Sequence, residues 1–158
     1  MPEGRELITV KQEKPQPPPA IGVVPPEVSA EKWINWTGDK SPALKELHGK
    51  VVVVEFWATW CGPCTAGIPH LNELHVKYSQ DGLVILSLTD QGAKAIEKFA
   101  KDRGMQYAVG AGSETGKDYG VAGIPHALVI GRDGKLRWQG NPNDDGFEKQ
   151  IADAIKSK

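Results

Sequence analysis

KVVVVEFWATWCGPC, residues 50–64, decides how this chain folds. Its first half is a run of four valines leading into Glu55, Phe56 and Trp57. β-Branched side chains favour the pleated backbone, and a run without polar alternation predicts a strand covered on both faces, central in a sheet. Its second half holds Cys61 and Cys64, the only cysteines in 158 residues. Their spacing places them at the junction between that strand and a following helix.

A cysteine at a helix start faces unpaired amide N–H groups and the positive end of the helix dipole. Both favour thiolate over thiol. Thiolate is the form that attacks disulfides. Cys64 lies one turn on, on the same side, at a separation that suits the ~4.4–6.8 Å Cα spacing of a disulfide. Cys61 is therefore the expected nucleophile and Cys64 the thiol that resolves a mixed disulfide. Gly62 leaves room for a partner chain, and Pro63 fixes φ in the first turn where an N–H is not needed. Trp57 and Trp60 are expected to supply a flat apolar rim.

Metal chemistry is the competing reading of the pair. Zinc usually takes four protein ligands, or three and water. His70 and His75 are the nearest imidazoles, and no second cysteine pair exists. Haem attachment needs histidine directly after the second cysteine, where Thr65 stands.

Outward from this centre, the β-branched run continues through a helix, from the cysteines to about Ser79, into the strand DGLVILSLT (residues 81–89). That is a strand–helix–strand unit with parallel strands. AKAIEKFAKDRG follows as an amphipathic helix, then MQYAV as a short strand. HALVIGRDGKLRWQG reads as a hairpin turning at Asp133-Gly134, and FEKQIADAIK as a closing helix. Upstream, KWINW reads as an edge strand and residues 41–49 as a short helix. The order of elements implies an α/β fold: a sheet with helices on both faces.

Seven of the 12 prolines lie in the first 26 residues. Proline cannot continue a helix and starves a sheet of donors. Residues 1–27 are thus expected to form an extended proline-rich arm or linker, and residues 28–158 the folded domain. The net charge is −1, which argues against nucleic acid or anionic membrane as the main partner. No apolar run reaches the ~18 residues of a membrane span. The first residues lack the apolar stretch of a signal peptide, which leaves a cytoplasmic protein, or one cut after a signal or anchor, both open.

FWATWCGPC followed by IPHLNEL resembles the thioredoxin superfamily, with Pro69 matching a proline of its active-site helix. LHGKVVVVEFWATWCGPC with GIPHALVIGRDGKLRWQG is more similar to its TlpA/ResA-like branch of redoxins. The resemblance covers roughly residues 28–156. It implies a thioredoxin-like three-layer α/β/α sandwich, with a central mixed sheet, a β-α-β unit, a β-hairpin and a C-terminal helix. It implies a thiol–disulfide oxidoreductase without a bound cofactor beyond the redox-active disulfide Cys61–Cys64. Protein thiols and disulfides and an electron-donor protein would be its partners, a monomer its form, and the periplasm or another extracytoplasmic space its location. Gly-Pro between the cysteines resembles the reducing members.

Several residues then acquire expected roles. Glu55, alone in an apolar strand, should be partly desolvated with a raised pKa. The resemblance makes it the proton acceptor for Cys64, unless the strand end is solvated. Trp60, Gly62, Pro63, Ile124 and Pro125 are expected to contact substrate. The resemblance also implies a cis peptide before Pro125. His126 departs from the small or hydroxyl residue expected there. It is a candidate for tuning Cys61 if it faces the sulfurs, and alternation along the strand leaves the opposite orientation equally open. Thiol peroxidase chemistry on the same fold is the alternative enzyme, although Thr59 stands two residues before Cys61 rather than three. A metal-binding or partner-binding module is the non-enzymatic alternative.

Overall fold

A computed structural model describes residues 16–157. The part of the proline-rich arm in residues 1–15 lies outside the described residues. The elements are β1 (Lys32–Ile34), β2 (Val51–Phe56), α1 (Gly62–Ala66), α2 (Ile68–Tyr78), β3 (Leu83–Leu88), α3 (Ala93–Asp102), β4 (Ala108–Ala111), α4 (Thr115–Asp118), β5 (His126–Ile130), β6 (Leu136–Gly140) and α5 (Gly146–Lys156).

They build one six-stranded mixed sheet in the order β1-β4-β3-β2-β5-β6. β2, β3 and β4 are parallel, while β1, β5 and β6 run antiparallel to their neighbours. The valine run is central as its composition requires, and every residue of β2 is buried. Alternation divides it between two cores. Val51 and Val53 join Ile85, Val129 and the apolar faces of α2, α3 and α5. Val52, Val54 and Phe56 join Leu86, Leu128 and Tyr119 on the other face. That second layer is thin, made of α4, a 3-10 turn at Leu44–Glu46 and the segment around Val28.

The structure corrects three readings of local sequence and adds one element. Residues 41–49 do not form a helix. Ala43 is extended (φ −137°, ψ 136°), so only the 3-10 turn Leu44–Glu46 fits before Gly49 at φ 93°. Its exposed amides are satisfied from outside: Leu44 N and Lys45 N donate to the Glu27 carboxylate at 2.6 and 3.1 Å. The helix after the cysteines is two helices meeting at Gly67. Pro69 has no N–H for the Thr65 carbonyl, and Gly67 N instead closes a tighter bond to Cys64 O at 3.2 Å. The strand read at MQYAV starts three residues late, at Ala108. Asn35 takes the carbonyls of Met105 and Tyr107 with its side-chain amide, and Asn72 takes Gln106 N, so side chains replace a neighbouring strand there. α4 has no counterpart in the sequence reading.

The described part of the arm packs against the sheet edge. Gly22 N donates to Leu136 O at 2.7 Å, and Leu136 N to Val23 O at 2.9 Å. Gln139 donates to Pro19 O, and Tyr119 to Pro26 O.

Candidate active site

β2 ends at Phe56, and residues 57–60 carry the chain over the sheet edge to Cys61. Cys61 caps α1 with extended backbone (φ −93°, ψ 108°), and its Sγ accepts from Cys64 N at 3.2 Å. The cap role explains the site: the sulfur takes an amide proton that the helix itself cannot use. Cys61 and Cys64 form a disulfide, with Cα atoms 5.2 Å apart.

The cysteines are covered, and the two tryptophans depart from the rim expected of them. In this oxidised form both sulfur-bearing residues are buried, Cys61 at 6% and Cys64 at 2% exposure. Trp57 is no part of a rim. Alternation turns it into the core with Val51 and Val53, where it packs on Phe99 with ring centroids 5.6 Å apart. Trp60 alone stands out, 74% exposed.

Trp60 and Ile124 line a groove of about 250 Å³ floored by Phe56 and Leu88 and bordered by Val121. A separate narrow cleft is lined by Glu55, Pro63, Cys64, His70, Pro125 and Asn143, among others. The Ile124–Pro125 peptide is cis.

Glu55 is 2% exposed. Its Oε1 accepts from Ser87 Oγ at 2.6 Å. Burial pushes its carboxyl up from 4.5 to about 8, and the Ser87 hydrogen bond opposes that rise only in part. The Tyr107 hydroxyl is pushed well above the ordinary tyrosine range, first by burial and then by the charge of Glu55.

His126 is on the other side of β5. It shares a face with Leu128 and Ile130, whereas Ala127 and Val129 meet the cysteine-side core. Its Nε2 lies 3.0 Å from Gln139 Oε1. The strand register thus separates it from the cleft that Glu55 and Cys64 share.

Three residues at the site were missed in the sequence. Gln91 clamps the loop before Cys61: its Oε1 accepts from Thr59 N at 2.8 Å, and its Nε2 donates to Thr59 Oγ1 at 2.9 Å. Asn143 donates to Pro63 O at 3.2 Å across the start of α1. Ser87 was legible as the one polar residue in LVILSL, but its partner was not. Among the described residues, no three His, Cys, Asp or Glu side chains converge as a metal group, and no helix is long and apolar enough to cross a membrane.

A strand, a capped cysteine pair and a cis-proline loop in a mixed sheet define a thioredoxin-like redox domain. The chain belongs to the AhpC/TSA family, which it matches over residues 21–139. It is similar to the thiol-disulfide oxidoreductase ResA of Bacillus thuringiensis subsp. konkukian (strain 97-27), 38% identical over 100 residues, covering 61% of this chain and 58% of that one. ResA of Geobacillus thermodenitrificans (strain NG80-2) is 33% identical over 97 residues, covering 60% and 56%. The chain therefore spans less than two thirds of the length of these curated relatives. Among solved structures, a Chlorobium tepidum protein assigned as the thiol:disulfide interchange protein DsbE superposes with TM-score 0.74 at 26% identity, covering 86% of this chain and 98% of that one. The thioredoxin-like superfamily protein SPOA0173, 22% identical over 88% of this chain and 99% of its own, gives TM-score 0.74 and supports the fold.

Proposed function

We propose that this protein is a thiol–disulfide oxidoreductase that exchanges two electrons with protein dithiols and disulfides. The observation that carries this reading is the Cys61–Cys64 disulfide at the start of α1, sharing a cleft with a buried carboxyl.

In the reducing direction, the Cys61 thiolate attacks a partner disulfide, and one partner sulfur leaves as thiolate. The Cys64 sulfur then attacks Cys61. The Cys61–partner bond breaks, the Cys61–Cys64 bond forms, and the second partner sulfur leaves with its electron pair. The partner gains two electrons and the protein dithiol loses them. Glu55 accepts the Cys64 proton. Only the ionised carboxylate can take that proton, and with a pKa near 8 this form is the minor one at neutral pH and grows as pH rises. Trp60, Gly62, Pro63, Ile124 and Pro125 contact the partner chain, which pairs with the backbone before Pro125 like an added strand. His126 has no part in this scheme. The disulfide itself is the redox group, with no further cofactor.

The Gly62-Pro63 pair favours the reductant role. The protein then needs an electron-donor protein, works as a monomer outside the cytoplasm as its sequence resemblance implies, and carries residues 1–27 as an arm to the domain 28–158. Equilibration in a dithiothreitol or glutathione series, read by Trp60 emission, tests this. The expected potential lies nearer the ~−270 mV of thioredoxin than the ~−120 mV of the strongest oxidant. A potential at the oxidising end would reverse the direction, and failure of the pair to exchange reversibly would overturn the reading. Stopped-flow mixing of the reduced protein with hydrogen peroxide separates the peroxidase alternative, which requires a rate far above that of a free thiol.

A further inference from the structure

We propose that Ser87 is a positioning residue for the exchange reaction, its hydroxyl holding one oxygen of Glu55 so that the other serves the Cys64 proton. This rests on the role given to Glu55 above.

Ser87 sits in β3 directly opposite Glu55 in the parallel register. It is completely buried, in a strand whose other residues are apolar or branched. A hydroxyl in such a place is stable only when bonded. Its partner is Glu55 Oε1, at 2.6 Å. An ionised carboxylate can only accept, so Ser87 must donate to it. When the carboxyl takes up a proton, Oε1 still receives the serine hydrogen, and the proton goes to Oε2. Glu55 lines the same cleft as Cys64, so Oε2 is the oxygen left for it. Ser87 thus decides which oxygen reacts and how the carboxylate is turned.

The bond also sets where Glu55 ionises. Donation to the charged form favours that form and lowers the pKa against the effect of burial. The other groups facing Glu55 are Cys64 from α1, His70 from α2 at the cleft mouth, and Tyr107 ahead of β4. β5 brings no charge to this face, with Pro125 and Ala127 there. Tyr107 stays neutral across the working range, so Ser87 is the neutral donor that fixes the ionised state.

The test uses the full chain as wild type, Ser87→Ala, Ser87→Thr and Glu55→Gln. Carbon-13 titration of the Glu55 carboxyl in the oxidised protein, where neither cysteine titrates, reads the midpoint directly. The second, concentration-independent phase of thionitrobenzoate release, after the reduced protein meets excess dithiobis(nitrobenzoate), reads closure by Cys64. In Ser87→Ala the Glu55 midpoint is expected to rise by about one pH unit, and closure at neutral pH to slow about tenfold. Ser87→Thr keeps the hydroxyl and restores both. An unmoved Glu55 midpoint in Ser87→Ala would overturn the role of Ser87 while leaving Glu55 in place. A wild-type pH profile of closure in Glu55→Gln would instead remove Glu55 from the step, and Ser87 with it.

Discussion

Cys64→Ala is expected to turn this protein into a covalent trap. Cys61 keeps its place at the start of α1 and still attacks a partner disulfide. The mixed disulfide then persists, because the resolving sulfur of Cys64, whose Cα lies 5.2 Å from that of Cys61 across one turn, is gone. Catalytic turnover with a protein disulfide substrate falls to that of a monothiol, and partner adducts that thiol reductant releases accumulate on non-reducing gels. Cys61→Ala forms none. Loss of the amide-to-sulfur cap is not involved, since Cys64 N still donates to Cys61 Sγ in the alanine variant. If Cys64→Ala turned over like the wild type, Cys61 would be resolved by an external thiol, and the paired mechanism would be lost.

Glu55→Gln has the second large effect, with opposite signs on rate and stability. In the proposed mechanism Glu55 is the proton acceptor, and general acid–base catalysis of this kind is usually worth about 10²–10⁴-fold. The amide cannot accept that proton, so closure slows by that amount and its pH dependence through about 8 disappears. Stability moves the other way. The native carboxyl holds its proton up to about pH 8, while the unfolded chain releases it near 4.5. Between these values the folded state binds more protons than the unfolded, so folding stability falls as pH rises. Above pH 8 the accumulated loss is about 5 kcal/mol. Glutamine does not titrate, and its side-chain oxygen can still accept from Ser87. Urea unfolding at acid, neutral and alkaline pH should show Glu55→Gln gaining on the wild type as pH rises through the interval. A constant difference between the two proteins would mean that Glu55 ionises normally.

A buried carboxyl that destabilises the fold at working pH is consistent with retention for chemistry. Packing alone would favour an apolar side chain at this point of β2, where every neighbour on the strand is buried.

Much of the architecture was legible because its causes are local. Four consecutive valines specify a strand with two buried faces. Asp133-Gly134 specifies a tight turn, with Gly134 at φ 81°. The spacing of Phe147, Ile151 and Ala154 puts them on one face of α5, and all three are buried. Misreadings arose where distant atoms satisfied the backbone. Glu27 accepts from the amides of residues 44 and 45, and Asn35 donates to carbonyls 70 and 72 residues away. Nothing in a local window announces such partners. Trp57 and Trp60 look alike in sequence, yet one is 3% and the other 74% exposed, because only the first continues the alternation of β2 into a covered face.

The sequence by itself determined the sulfur pair and its place at the end of a central strand. Those depend on spacing within one turn and on β-branched composition, both short-range properties. Tertiary structure alone decided the surroundings of that pair: that Glu55 is buried, that Ser87, 32 residues away, is hydrogen-bonded to it, and that His126 faces elsewhere. Desolvation and strand register are properties of the assembled sheet, since each needs the neighbouring strand and both covering layers before it has a value.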